Sequence, residues 1–377
     1  MYYSKHNSYR LILALLLMMA SIYANADKPD LKFRRLDTRN GLSNSQVNCI
    51  LKDSKGFVWI GTQYGLNRYD GYRFREFHSN IKDSTALLSD YVDNLFEDVD
   101  GKIWVQQELK YCVDDPKTEQ FEQNLSPWLN KAGVEGAVEK VYIDKRKNYW
   151  IKVWGGKLYY YNPSKNIKSN FVVDDAKYGP NSGLSSFDSY GKHTVMILKN
   201  GVIAALDGDK GKVVWVSNYV KQRQTADVVN NSIYIDHDRN YWVMTDGNCY
   251  VYMQKTRKWY NGVNHLLRKL GFADVPKVEM VTSAMEDRNG HMFLGTNHSG
   301  LFVLDFAKKR IYQYEKDINN ETSFSDINVV CLYLDRSGQM WIGTYMGGVN
   351  QVVFGNPYVS NLKTGSVNTV TEDKDGN

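Results

Sequence analysis

Trp59-Ile60-Gly61-Thr62 returns at the other end of the chain as Trp341-Ile342-Gly343-Thr344, with weaker copies between them. Aligned on their aromatic or bulky residue, the copies are anchored at Trp59, Trp104, Trp150, Met196, Trp242, Phe293 and Trp341, at intervals of 45, 46, 46, 46, 51 and 48 residues. An Asp and a turn precede every anchor except the fourth, as in Asp53-Ser54-Lys55-Gly56, Asp98-Val99-Asp100-Gly101, Asp144 to Asn148, Asp236 to Asn240, Asp287-Arg288-Asn289-Gly290 and Asp335-Arg336-Ser337-Gly338. A second turn ending in Gly follows the anchor and opens a short alternating run, such as Gly65-Leu66-Asn67-Arg68-Tyr69 or Gly300-Leu301-Phe302-Val303-Leu304.

Each unit reads as four short strands. In the first copy they are Val47 to Lys52, Phe57 to Thr62, Leu66 to Tyr69 and Phe74 to Phe77. Such runs, rich in β-branched and aromatic residues and joined by Gly, Asn and Asp turns, form antiparallel hairpins. Four strands in a period of this length make a β-propeller blade. One isolated sheet cannot bury both faces, so the blades stack around an axis with the anchors plugging the gaps. The expected fold is therefore all-β, a seven-bladed β-propeller of four-stranded antiparallel blades. The Asp is expected to bond its own backbone two residues on, with Gly supplying positive φ.

The fourth blade is expected to use Ser185 to Tyr190, Thr194 to Leu198, Val202 to Asp207 and Lys212 to Ser217, with Met196 in place of Trp. The longest interval accommodates a short amphipathic helix over Asn264 to Leu270. The last blade lacks a fourth strand after Phe354, and Leu31 to Leu36 has no partner in blade one. Pairing that run onto Val349 to Phe354 would close the ring and remove two exposed edges.

The ends divide the chain further. Residues 1–26 read as a secretory signal: Lys5 and Arg10 precede an apolar run from Leu11 to Ala20, and Ala24-Asn25-Ala26 fits a cleavage site. An uncleaved anchor is the alternative, and no other stretch is long and apolar enough to span a membrane. The propeller is assigned to 27–357. Val367 to Asn377 parallels Val92 to Lys102 and stops two residues before its Trp, so 358–377 reads as the start of a second propeller.

The formal charge of +5 falls to +3 without Lys5 and Arg10, because residues 1–26 carry no acid. A mild excess without Lys/Arg clusters argues against nucleic-acid binding. Cys49 and Cys331 sit in the first strands of ring-neighbouring blades, where a disulfide would be possible only if the inner strands converge. Free buried thiols are the favoured reading, and Cys112 and Cys249 stay apart.

No catalytic constellation, phosphate loop or metal spacing stands out, and no cofactor is expected. His291 and His298 lie on opposite sides of a strand turn, and Asp114-Asp115 and Asp174-Asp175 read as solvated hairpin turns. The turns between second and third strands share one face. They carry Gln63, Tyr64, Gln107, Glu108, Trp154, Asp246, Asn248, Asn297, His298, Tyr345 and Met346. Aromatic faces with amides and carboxylates suit a sugar, and the candidate ligand residues are Tyr64, Gln107, Trp154, Asn248, Asn297, His298 and Tyr345. The plainer reading is that these are polar turn residues.

Gly41-Leu42-Ser43, Val47, Asp53 to Gly56, Trp59-Ile60-Gly61-Thr62 and Gly65-Leu66-Asn67-Arg68-Tyr69 together resemble the two-component regulator propeller repeat of periplasmic sensor regions in Bacteroides-type hybrid two-component systems. The resemblance runs from about residue 31 to the end. It implies two consecutive propellers followed by an immunoglobulin-like domain, a membrane helix, a histidine kinase, and a receiver with a DNA-binding module. It also implies a periplasmic, homodimeric sensor that answers to glycan-derived oligosaccharides and controls polysaccharide-utilisation genes. The kinase segments are not in this sequence, so the chain itself is expected not to be an enzyme. A carbohydrate-acting propeller enzyme (lyase, lactonase or glycosidase) and a protein-binding scaffold are the alternatives.

Overall fold

Seven four-stranded antiparallel sheets follow one another along the chain. They are seen in a computed structural model that describes residues 28–29, 31–224 and 230–354. The expected signal segment and the expected second-propeller start lie outside the described residues. Phe33–Val352 forms one compact unit; a second unit takes in the two ends, of which only residues 28–29, 31–32 and 353–354 are described.

Blade one comprises Val47–Lys52, Val58–Thr62, Leu66–Tyr69 and Phe74–Phe77, each strand hydrogen-bonded to the next. Blades two to six repeat this order. Blade seven is completed across the ends of the sequence, with Leu31–Leu36 beside Val349–Phe354, then Met340–Thr344 and Val329–Leu334. The first strands of all seven blades line a central channel of about 810 Å³.

The repeated tetrapeptide can be read atom by atom. Asp53 Oδ1 accepts hydrogen bonds from the backbone N–H groups of Lys55 and Phe57, both at 2.9 Å, and its Oδ2 accepts from Trp59 Nε1 at 2.8 Å. The carboxylate thus holds both its own turn and the buried indole. The same clasp joins Asp98 to Trp104 at 3.0 Å, Asp144 to Trp150 at 3.3 Å, Asp236 to Trp242 at 2.9 Å and Asp335 to Trp341 at 3.3 Å. Blade six has Phe293, which offers no donor, and there His291 Nδ1 lies 3.0 Å from Asp287 Oδ2 in the indole's stead. Thr62, Thr296 and Thr344 each donate a hydroxyl to the carbonyl of the Gly closing the second turn, Gly65, Gly300 and Gly348, at 2.8 Å.

The glycine of the tetrapeptide serves close approach. A Cβ on Gly61 would stand 2.5 Å from both Cys49 Sγ and Val92 Cγ1, and one on Gly343 would stand 2.5 Å from Cys331 Sγ and 2.7 Å from Val47 Cγ1. Val92 precedes the first strand of blade two and Val47 opens that of blade one. The same bare backbone therefore lets each blade seat against the next, and the last against the first.

Blade four corrects one expectation. Its first hairpin turns through only Gly191 and Lys192, pairing Tyr190 with His193. Blade one spends Asp53 to Phe57 on that turn, and counting from the bulge in the first strand, Leu51 pairs with Trp59. The corresponding residue of blade four, Asp188, pairs with Val195. The anchor is thus Val195 rather than Met196, because the path from Asp188 to Val195 is one residue shorter than that from Leu51 to Trp59, and a one-residue offset moves every side chain beyond it to the other face. Val195 and Ile197 pack toward blade five, whereas Met196 and Leu198 share a core with Trp150 of blade three. The missing indole leaves a cavity of about 330 Å³ beside Val195, Tyr190 and Arg239.

Among the described residues, three short α-helices join blades. Helix α1 (Ser126–Ala132) links blades two and three, α2 (Asp175–Tyr178) links three and four, and α3 (Val263–Lys269) links five and six, close to the helix expected there. The first two were not anticipated. Asp174, read as part of a hairpin turn, is instead the N-cap of α2, accepting from Lys177 N at 2.9 Å. All four cysteines are free, and burial pushes the Cys112, Cys249 and Cys331 thiols up to about 12.

Candidate functional site

Antiparallel blades place the second-to-third turns and the connections between blades on one face, and the first-to-second and third-to-fourth turns on the other. The first of these, the candidate face, carries every expected ligand residue. Its turns are fixed by a recurring bond from the turn to the residue just before the same blade's first strand: Gln63 N to Gln46 O, Trp154 N to Ala137 O, Asn297 N to Met280 O and Tyr345 N to Asn328 O, at 3.0 to 3.1 Å. Backbone bonds, joined by side-chain acceptors such as Asn328 Oδ1 and Asp326 Oδ2, hold these tips and leave the aromatic side chains free of that task.

Three aromatics use that freedom. Tyr64 is 55 % exposed, Trp154 58 % and Tyr345 48 %, from blades one, three and seven. Met346, Met280 and Ile327 are exposed on the same face, the last two from connections that sequence reasoning did not consider. Their signal was positional, since each lies within two residues of a first strand. Blades six and seven are tied together by Asn328, whose Oδ1 accepts from His298 N at 2.9 Å while its carbonyl accepts from Tyr345 N. His298 is exposed beside half-buried Asn297, which lines a cavity of about 320 Å³ with Asp246 and Met280. That volume is at the small end for a ligand site.

Other expected residues are engaged in structure. Gln107 is 1 % exposed; its Oε1 accepts from Leu88 N at 3.1 Å and from the Cys112 thiol at 3.3 Å, and its Nε2 donates to Ser89 O. It braces the connection into blade two from inside. Asn248 donates to Asn261 Oδ1 at 2.5 Å and accepts from Cys249 N at 2.9 Å, knitting third strand to fourth.

Asp114 overturns the solvated-turn reading. It lies within the third strand of blade two, is 1 % exposed, and both oxygens are buried without a hydrogen-bond partner among the described residues. Burial pushes its pKa up to about 6, against the pull of the Arg68 charge. Asp115 does sit at the turn, accepting from Lys117 N at 3.0 Å. His291 is held between Asp287 and Asp305, the latter 3.7 Å from Nε2, and among the described residues no cluster of His, Cys, Asp or Glu could hold a metal ion.

Residues 41–64 and 323–346, which bracket the two complete tetrapeptides, match the family model described as two component regulator propeller. The repeat-bearing chain is 34 % identical over 73 residues to Histidine kinase P4 of Formosa agariphila, a match covering 19 % of this chain and 5 % of that protein. It superimposes on the extracellular domain assigned to hybrid two-component system BT3049 of B. thetaiotaomicron with a TM-score of 0.65 and 18 % identity, covering 86 % of this chain and 42 % of that one. The extracellular domain assigned to one-component system BT4673 of the same organism gives 0.63 and 21 %, covering 85 % and 40 %. At these identities the likeness is one of fold. The chain spans about two fifths of these two solved chains and its match covers a small fraction of the kinase.

Proposed function

We propose that the chain is the extracytoplasmic, periplasmic sensing propeller of a two-component sensor histidine kinase, and that it takes a glycan-derived oligosaccharide on the candidate face. The observation that carries the reading is the coincidence of the family repeat with exposed aromatics on one face, Tyr64, Trp154 and Tyr345. Exposed aromatic rings stack on the apolar face of a pyranose while Asn297, His298 and Asp246 offer hydrogen bonds. Gln107 and Asn248 take no part, being committed to the fold. The sensor would act as a homodimer with a second propeller following, and would switch polysaccharide-utilisation genes through kinase and DNA-binding modules elsewhere in the protein. The repeat chain then contributes recognition and no catalysis. Among the described residues no helix is long and apolar enough to cross a membrane.

Calorimetry of the purified chain against an oligosaccharide panel tests this. Binding of one glycan class, weakened at least about tenfold by Trp154→Ala or Tyr345→Ala with an unchanged melting temperature, is expected. Glycan binding indifferent to both substitutions, or turnover of the glycan, would overturn it.

A further inference from the structure

The other face holds a larger cavity than the one beside Asn297. It lies between blades five and six, encloses about 580 Å³, and opens among the first-to-second turns of both blades and the third-to-fourth turn of blade six. Its origin can be traced to side-chain size. Each interface receives the anchor of one blade and, from the next, the residue before its anchor together with that residue's cross-strand partner. Between blades two and three these are Trp104, Tyr149 and Tyr161, and α1 adds Trp128, whose ring centroid is 4.7 Å from Trp104 and 4.5 Å from Tyr149. Between blades five and six the corresponding residues are Trp242, Met292 and Leu304, and α3 supplies Leu266 and Leu267. Smaller side chains at matched positions leave the space open. The added residues after α3 wall it with Leu270 and Phe272.

The walls and rim differ in character. Phe272 and Phe306 meet edge to face with centroids 5.6 Å apart, and Met292 and Met253 complete an apolar lining. Asp236, Asp238 and Glu286 line the same cavity, and among the described residues none of them pairs with a lysine or arginine. Asp236 is committed to Trp242 and Asn240. Glu286 takes one hydrogen bond, from His237 N at 2.7 Å to Oε2, and burial raises its pKa. Lys308 and Lys309 stand on the exposed lip of the third-to-fourth turn. Uncompensated carboxylates beside an aromatic wall favour a cation and disfavour an anion.

We propose that this inter-blade cavity binds a small organic cation with a flat apolar body, of the aromatic amine class, its ring between Phe272, Phe306 and Met292 and its ammonium toward Glu286 and Asp238. The site is separate from the candidate face and does not depend on the sugar-sensing reading.

Isothermal titration of the whole chain with tryptamine, and with indole-3-acetate as the same ring bearing the opposite charge, tests the proposal. Saturable tryptamine binding, at least about tenfold tighter than that of indole-3-acetate, is expected from one charge-assisted contact. Met292→Tyr, which reproduces Tyr149 of the filled interface, should abolish it. Glu286→Gln should weaken tryptamine by about tenfold without moving the melting temperature, which keeps the test decisive if the filling variant folds poorly. Tyr72→Ala, on the exposed third-to-fourth turn of blade one, should leave tryptamine binding unchanged. No saturation with tryptamine, equal affinity for the two probes, or tryptamine binding unaffected by Glu286→Gln would each overturn the proposal.

Discussion

Asp114 is the residue whose chemistry fits its surroundings least. It pairs across the sheet with Ile103, the residue before the anchor of blade two. The equivalent partner is Tyr69 in blade one, Tyr161 in blade three, Leu206 in blade four, Tyr252 in blade five and Leu304 in blade six. A carboxyl group therefore occupies a position built for an apolar side chain, and folding penalises its ionised form. The folded pKa of about 6 lies above the unfolded value, so the penalty is absent below about pH 4 and complete above about pH 6, reaching about 3 kcal/mol. Asp114→Leu should accordingly stabilise the chain at pH 7.5 by about 3 kcal/mol more than at pH 4, as read by urea denaturation at the two pH values. A gain that does not depend on pH would mean that Asp114 finds a partner in solution.

At the scale of strands and turns, the tetrapeptide divides its labour: Trp fills the interface, Thr closes the second turn, and Gly lets the neighbouring strand approach. Gly61→Ala should cost about 1–3 kcal/mol by overpacking against Cys49 and Val92, measured as a fall in thermal or urea midpoint. An unchanged midpoint would show that the blades slide apart without penalty. These roles were legible in the sequence because each recurs with the residue that performs it. The register of blade four was not, since Met196 keeps the interval and only the length of the Gly191-Lys192 turn, a three-dimensional fact, moves the anchor to Val195. Helix α1 was legible in principle, with Pro127 in its first turn and Gly133 as its left-handed cap at φ 75°, but at seven residues it is too short for Trp128, Leu129 and Ala132 to establish a helical period. Gln107 and Trp154 look alike as turn residues. Only burial separates the brace from the exposed ring.

Across the whole ring, closure rests on the strand Leu31–Leu36. Arg35 Nε donates to Gly347 O at 3.1 Å within blade seven, while Lys52 Nζ meets Asp335 Oδ2 at 2.8 Å and Tyr333 donates to Lys52 O at 3.2 Å, so the strand completes blade seven and these side chains fasten it to blade one. Removing residues 28–36 should expose the edge of Val349–Phe354 and produce concentration-dependent association, visible by size-exclusion chromatography, while the other blades retain their circular dichroism. A deletion variant that stays monomeric at all concentrations would assign closure to the side-chain contacts instead.

That fastening also sets a schedule. The partners in the Arg35–Gly347 bond are 312 residues apart in the chain, so the strand made first must wait for the last blade to be synthesised before it can pair. Until then the first blades stack on their neighbours with Leu31 to Leu36 unpaired, and ring completion becomes a late, slow step with a long loop to close. Leu31 to Leu36 thus stays an unpaired, adhesive strand until blade seven is made, and a chaperone would have that interval in which to capture it.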